Sequence, residues 1–271
     1  MSIFRDGILS GKNAFVTGGG SGIGQRIAER YAEHGARVML NGRRQAKLDA
    51  TAETIRSRGG CAGTFVADVR EYEALEAGLR KTHELWGPID LVLCAAAGNF
   101  LAAAAEMSAH GFKAVVDIDL IGTYNTCRAA YPFLRKPGSS ILSISSAHAF
   151  QPIAFQAHVC AAKAGVDMLM KVLAMEWARD GIRANCLTPG PTDETEGMRR
   201  LAPTDEARRR VISSVPLGRY GTKDELADLA LFLASDAAAY ITGGVFVCDG
   251  GTSLARSGFT IAEAAGFGRT G

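Results

Sequence analysis

The sequence predicts an α/β protein built on a single doubly wound, seven-stranded parallel sheet with helices on both faces. Three observations predict it. Short runs rich in apolar and β-branched residues recur at 13–18, 36–42, 63–68, 90–96, 139–145, 182–188 and 244–250. Stretches with helical apolar spacing separate them. The strands read as apolar throughout, as strands buried on both faces do. That alternation makes a parallel sheet with right-handed crossovers.

The first strand, NAFVTG (13–18), leads into GQRIAERYAEHG (24–35), where Ile27, Ala28 and Tyr31 share one helical face. ARVMLNG (36–42) and GTFVAD (63–68) follow as strands, then REYEALEAGLRKTHELWG (70–87) as a second amphipathic helix. DLVLCAA (90–96), SSILSIS (139–145), IRANCLT (182–188) and GVFVCDG (244–250) complete the sheet. Segment 191–214 breaks the rhythm with Thr, Glu, Arg and Pro, before a helix starting near Thr222. An insertion after a strand's carboxyl end is a natural substrate lid. No internal linker or repeat interrupts residues 1–271, so one domain is expected. The Gly- and Ala-rich tail after Asp249 is expected to fray or to pack on a neighbouring subunit.

Composition narrows the class. The chain has 271 residues, 47% of them hydrophobic, enough to fold without a disulfide or metal. Thirty basic against 28 acidic residues leave a net charge of +2, so a nucleic-acid partner is not expected. The six cysteines, at 61, 94, 127, 160, 186 and 248, form no CxxC pair or metal-ligand spacing, and are expected as buried, reduced thiols in a cytoplasm. No apolar run is of membrane-spanning length; MSIFRDGILSGK lacks a signal peptide's apolar core and GFGRTG carries no SKL-type address, so neither secretion nor peroxisomal import is expected.

The first strand ends in TGGGSGIG (17–24), which opens the first helix. Glycines at 18, 22 and 24 allow a tight turn and close approach to a pyrophosphate, while the helix N-terminus offers free N–H groups. Many turns are Gly-rich; the place between strand and helix is what marks a dinucleotide site. The second strand ends in NGRR, with Gly42 where an NAD site carries an acid and Arg43 and Arg44 after it. Two guanidiniums suit the extra 2′-phosphate of NADPH; the alternative is a solvated helix start. Asp68 ends the third strand and can bond the adenine.

TGxxxGIG (17–24), ADV (67–69), PG (189–190) and DGG (249–251) together resemble the short-chain dehydrogenase/reductase family, from residue 10 to about 252. The resemblance implies a single Rossmann domain, usually a homotetramer, that moves a hydride. It implies cofactor contacts from Gly18, Ser21, Gly22, Ile23, Gly24, Arg43, Arg44, Asp68, Val69, Ala96, Lys163, Pro189, Gly190 and Thr192.

Members of that family usually carry Asn, Ser, Tyr and Lys. The tyrosine donates a proton, the lysine holds the nicotinamide ribose, the serine binds the substrate oxygen and the asparagine orders a water. Here Lys163 and Ser146 keep their places, but the tyrosine position is Val159 and the asparagine position is Asp119. The usual NNAG is AAAG (95–98). Three readings follow: a catalytically dead subunit, an alcohol dehydrogenase with its acid elsewhere, or a reductase whose chemistry needs no tyrosine. An acid in place of asparagine, where the tyrosine is gone, favours a rearranged site over decay.

AAAGNFLAAAAEMS (95–108), VVDIDLIGTYNT (115–126) and LTPGPTDETEGMRRL (187–201) resemble the 2,4-dienoyl-CoA reductases, most of all the peroxisomal type. That group also lacks the tyrosine. The resemblance implies NADPH-dependent reduction of a 2,4-dienoyl-CoA to a 3-enoyl-CoA in unsaturated fatty acid β-oxidation, with Asp119 and Lys163 as the acting pair. The group's histidine five residues before the lysine is His158. The mitochondrial branch carries its tyrosine where this chain has His148, kept as an alternative proton donor and otherwise as a pocket residue. Ser146 is expected to bond the thioester oxygen, with strand-end bonding the alternative. Asn99 and Phe100 are expected along the acyl channel, and residues 108–110, Ser108 among them, against substrate. Arg70, Arg199 and Arg200 are candidates for the acyl-CoA phosphates, because a guanidinium pairs bidentately with phosphate. ARRRV (207–211) reads as a solvated helix face. The remaining alternatives are a reductase of another 2-enoyl or 3-oxo thioester and a non-catalytic NADPH-binding subunit.

Overall fold

In β1 (Asn13–Thr17) the two-residue period of a strand sends Ala14 and Val16 to one face and Phe15 to the other. β4 (Leu91–Cys94) divides the same way, Leu91 and Leu93 against Val92 and Cys94. Both faces are therefore apolar, and each needs a helical layer. The structure, a computed structural model, describes residues 4–255, and of Glu196, Arg200 and Leu201 only the backbone. β2 (Arg37–Gly42), β3 (Cys61–Val66), β5 (Ser140–Ile144), β6 (Arg183–Pro189) and β7 (Val245–Cys248) complete one sheet in the order β3-β2-β1-β4-β5-β6-β7. Every pairing is parallel. The expected fold class stands, with β3 lying two residues earlier than expected and β4 and β7 each ending two residues early.

α1 (Gly22–Glu33), α2 (Gln45–Ser57) and α9 (Lys223–Ala234) cover one face; α3 (Tyr72–Trp86), α5 (Gly122–Ala130) and α6 (Ala157–Trp177) cover the other. Phe15, Leu40, Leu93 and Ile141 are fully buried between the layers. Each such side chain contributes about 1.5–3 kcal/mol. Six free cysteines are present, but burial holds only for Cys94, Cys127 and Cys186; Cys160 and Cys248 are partly covered, and Cys61 is exposed on the edge strand β3. The expectation of uniformly buried thiols fails at that edge.

Between β4 and α5 lie α4 (Ala109–Val116) and a π-helical turn, Asp117–Ile121. After β6, segment 191–214 folds as α7 (Glu196–Leu201) and α8 (Asp205–Ser213), with Thr195 and Thr204 as N-caps. Arg208 bonds Asp193 at 2.9 Å and Lys223 pairs with Glu194 at 3.0 Å, holding this segment to itself and to α9. On α8, Arg209 and Arg210 are exposed as expected, whereas Arg208 is partly covered. The expectation for the tail beyond residue 255 lies outside the described residues.

The loop after β6 is anchored at the start of α9. Gly221 N–H donates to Pro191 O, and Asp193 N–H donates to Gly221 O, both at 2.9 Å. Thr222 and Glu225 form a reciprocal capping box there. Arg219 bonds the Glu225 carboxylate at 2.6 Å and, with Thr222, pulls its pKa down from 4.5 to about 2. The folded value lies below the unfolded one, so the stabilisation is complete above about pH 4.5 and is lost as pH falls towards 2. Screening at this half-exposed site limits it to about 1 kcal/mol. Thermal melts of Glu225→Gln should therefore show a lower midpoint at neutral pH and a flatter dependence between these two values; parallel curves would reject the assignment.

Candidate active site

The carboxyl ends of β1 to β4 meet around a cavity of about 980 Å³. It lies where the strand order reverses, between β1 and β4, the usual ligand crevice of such sheets. The Gly-rich turn forms one wall. At Gly18 a Cβ would come within 2.5 Å of Ala95 O, and at Gly24 within 2.7 Å of Gly18 O, so both must be glycine. Gly22 has φ +62° and open space beside it. Ser21 makes no side-chain cap at the α1 N-terminus, and Ile23 sits half-buried in the first turn. The unfilled N-terminal N–H groups and the open side of Gly22 suit a pyrophosphate. Gly42, Arg43, Arg44, Asp68, Val69 and Ala96 also line the cavity. Pro189 ends β6, and Gly190 packs so closely on Asp249 that a Cβ would stand 2.5 Å from its Cα. Thr192 is buried and donates to Gly190 O at 2.9 Å.

Asp68 is not a free carboxylate. It accepts from Arg70 Nε at 3.0 Å and from a second guanidinium nitrogen at 2.7 Å. That pairing holds its pKa below the ordinary range. Arg70, expected to meet substrate phosphate, is thus engaged with the residue expected to meet adenine. Arg43 and Arg44, by contrast, are exposed and form no ion pair among the described residues. Lys47 stands one turn further along α2 and lines the same cavity. The first turn of α2 holds no acid, against the usual helix preference; that signal was available in the sequence and points to an anion.

The titratable cluster does not itself line this cavity; it adjoins it through Gly98 and Ile118. Lys163 Nζ donates to Ile144 O at 2.9 Å and lies 3.2 Å from Asp119 Oδ2. Gly98 N–H, after β4, donates to Asp119 Oδ1 at 2.7 Å. Lys163 is 6% and Asp119 1% exposed. Asp119 comes from the π-helical turn, whose extra residue shifts the side-chain phase and turns the carboxylate towards α6. Its Oδ2 meets the ammonium without hydrogen-bond geometry, so one acceptor position stays unused. Val159 is buried on α6 and offers no proton.

Ser146 Oγ and His148 Nδ1 lie 2.5 Å apart at the end of β5. The serine expected against the thioester oxygen is therefore paired with the histidine expected as its alternative. His158 is fully buried with no hydrogen bond at either ring nitrogen, edge-on to Phe100 at 4.4 Å. Burial pushes its pKa below the ordinary histidine range. Asn99, Phe100, Leu101, Ile118 and Gln156 line the cavity on this side. Gln156, with a buried, unpartnered Oε1, was not singled out from sequence, because nothing in its neighbours marks it. Ser108 caps α4 by accepting from Gly111 N–H at 3.0 Å, and Gly111 faces Phe100. Arg199 lines a second cavity of about 730 Å³ that shares Gly20, Ser21 and Lys47 with the first. The side chain of Arg200 lies outside the described part. Among the described residues no group of His, Cys, Asp and Glu could hold a metal ion, and no helix is long and apolar enough to cross a membrane.

A family model described as Enoyl-(Acyl carrier protein) reductase matches residues 18–253. The peroxisomal 2,4-dienoyl-CoA reductase [(3E)-enoyl-CoA-producing] of Arabidopsis thaliana is 39% identical over 94% of this chain and 89% of that protein. The chain belongs to the short-chain dehydrogenase/reductase family. As a member it is an oxidoreductase of the dienoyl-CoA reductase-like kind, and the family uses NAD(P)H. A second relative in this family, the probable 2,4-dienoyl-CoA reductase [(2E)-enoyl-CoA-producing] of Bacillus subtilis, is 39% identical over 90% of this chain and 97% of its own length. Among solved short-chain dehydrogenase/reductase structures, a short chain dehydrogenase from Bacillus anthracis superposes with TM-score 0.82 at 36% identity, covering 91% of this chain and 98% of that one. A gluconate 5-dehydrogenase from Burkholderia cenocepacia, in complex with NADP and tartrate, has TM-score 0.86 at 32% identity, covering 92% and 98%.

Proposed function

We propose that the protein is an NADPH-dependent 2,4-dienoyl-CoA reductase yielding a 3-enoyl-CoA in the β-oxidation of unsaturated acyl chains. The observation that carries this reading is the buried Asp119–Lys163 pair at 3.2 Å beside a tyrosine position held by Val159. Carbonyl reduction makes an alkoxide that needs an acid at once. Conjugate addition spreads charge over a dienolate, which needs electrostatic stabilisation first and a proton later. When bound, NADPH supplies a hydride, here to the δ-carbon of the thioester. The Lys163 ammonium stabilises charge on the thioester oxygen, and Ser146 bonds that oxygen. Asp119 and Lys163 order a water that hands a proton to the α-carbon.

Arg43 and Arg44 are the residues that would hold the 2′-phosphate, with Lys47 beside them. Asp68 would reach the adenine, and Lys163 the nicotinamide ribose. Gly18, Ser21, Gly22, Ile23 and Gly24 would take the pyrophosphate, and Val69, Ala96, Pro189, Gly190 and Thr192 would complete the cofactor contacts. Asn99, Phe100, Ser108 and His148 would line the acyl side, and Arg70, Arg199 and Arg200 would meet the phosphates of CoA. The whole chain would act as one NADP-binding domain with segment 191–214 as its lid. Exposed apolar residues on α5 and α6 (Tyr124, Met168, Val172 and Met175) support a homotetramer. The compartment we infer is a cytoplasm, from the free thiols; the Arabidopsis relative is named for the peroxisome.

The runner-up, reduction of a simple 2-enoyl thioester, is favoured by the description of the matching family model. One assay separates them. With NADPH, 2,4-hexadienoyl-CoA should be consumed with loss of both chromophores, while crotonyl-CoA and acetoacetyl-CoA should not react. Preferential turnover of crotonyl-CoA would replace this reading with the runner-up.

A further inference from the structure

Gln156 opens α6, and the reaction above gives it no role. A side chain at this position ordinarily accepts from the first free N–H groups of its helix. That of Gln156 does not. Its main-chain carbonyl accepts from Cys160 N–H at 2.9 Å, but its side chain makes no cap bond. Gln156 lines the cavity instead, at 2% exposure, and its Oε1 has no hydrogen-bond partner among the described residues. His158, two residues on, is equally without partners at both ring nitrogens, so the two side chains do not satisfy each other.

The chain is also strained just before it. Phe155 holds φ +64°, in the left-handed region that a bulky residue adopts only at a cost. Phe155 O accepts from Ala102 N–H at 3.1 Å. That bond ties the loop after β4 to the start of α6, between the cavity residues Leu101 and Gln156. A buried amide without a partner costs the folded state its desolvation, and an apolar side chain of the same size would avoid that cost. Strain and an unmet polar group in one place, on the wall of a cavity, point to a ligand and not to the fold.

The chemistry of that ligand follows from the amide. A carboxamide offers one acceptor oxygen and two donor hydrogens, and its soft last torsion lets either end turn to the cavity. Its full complement is another carboxamide, which gives one N–H and takes another. Both molecules assigned to this cavity carry such a group: the nicotinamide of the cofactor and the pantetheine arm of an acyl-CoA.

We propose that Gln156 is a binding residue for a carboxamide of the bound ligand, paired amide to amide. The proposal deepens the functional reading above and rests on it for the identity of the two ligands.

The test uses Gln156→Leu and Gln156→Met, which keep the bulk and remove the amide. Without ligand, both variants melt at or above the midpoint of the unaltered protein, because an unpaired buried group is gone. Two binding arms then separate the sources of the carboxamide. In one, NADPH is compared with its reduced 3-acetylpyridine analogue, whose ketone has no N–H. In the other, with NADPH present, the hexadienoyl thioester of N-acetylcysteamine is compared with its ester counterpart, in which oxygen replaces the amide N–H. In the arm that holds the partner, loss of the N–H weakens binding to the unaltered protein about tenfold. The same change costs both variants less than about twofold, because the partner is already gone. A ligand change that costs the variants as much as the unaltered protein, in both arms, overturns the proposal. So does a lower melting midpoint in both variants, which would show the amide to be satisfied within the fold. That second readout needs no ligand, so it stands whatever the cofactor and substrate. Failure of the unaltered protein to bind either NADPH or the thioester would instead refute the functional reading, and the proposal with it.

Discussion

Asp119→Ala is expected to lower kcat for 2,4-hexadienoyl-CoA by about 10²–10⁴-fold, the usual range for removing a proton-transfer group. His148→Ala is expected to cost less than about tenfold by the same measure. The difference follows from position. Asp119 is 1% exposed, lies 3.2 Å from Lys163 and accepts the Gly98 N–H at 2.7 Å. Its removal leaves the buried ammonium without its counter-charge and the half-buried Gly98 N–H without its acceptor, so charge, orientation and water are lost together. Asp119→Asn preserves shape and the acceptor for Gly98, and should still lose most of the rate, which separates charge from packing. His148 is only half-buried and bonded to Ser146, so its loss frees a serine hydroxyl that water can satisfy. The reverse ranking would move the proton source to the Ser146–His148 pair.

Removing both guanidiniums from the α2 corner, Arg43→Ala with Arg44→Ala, is expected to weaken NADPH binding by about 10²-fold or more while leaving NADH nearly unchanged. Each charged hydrogen bond lost contributes about 1.5–3 kcal/mol, and each 1.4 kcal/mol is tenfold in affinity. Gly42→Asp should act in the same direction by a different route. A Cβ at Gly42 meets only Leu48 Cδ2, at 3.4 Å, so a side chain fits there. Its carboxylate would repel a 2′-phosphate and accept from a free ribose hydroxyl. Titrating both nucleotides by fluorescence reads the two predictions together. Equal weakening of NADH would show the arginines to be solvated charges without a 2′-phosphate role.

The sheet was legible because each strand is buried on both sides and so is apolar at almost every position, as in β1 with Ala14, Phe15 and Val16. The Gly-rich turn was legible because Gly18 and Gly24 leave no room for a Cβ. Side-chain partnerships were not. Nothing in ADVR says that Arg70 folds back onto Asp68, since both charges read equally well as ligand contacts. The π-helical turn is equally hidden, because DIDLI carries an ordinary helical pattern and the extra residue appears only in the hydrogen bonding. Asp119 was reached through the motif around it rather than through its geometry. Lys47 could have been found from a first helical turn whose one charge is a cation. Gln156 could not, since its burial depends on the loop after β4 folding over it. The two short helices of segment 191–214 follow from Thr195 and Thr204 as caps, a local signal that the Thr- and Pro-rich composition obscured.

The central claim is conjugate addition with a solvent-derived proton organised by Asp119 and Lys163. It is tested most directly by locating isotopes in the product. With 2,4-hexadienoyl-CoA and NADPH deuterated at the transferring position, the account predicts deuterium on the δ-carbon and a double bond between the β- and γ-carbons. Run in heavy water with unlabelled NADPH, the same reaction should place solvent deuterium on the α-carbon, with that step slowed in Asp119→Asn. Transferred deuterium on the β-carbon or the carbonyl carbon, or solvent deuterium on the γ-carbon with a 2-enoyl product, would contradict it.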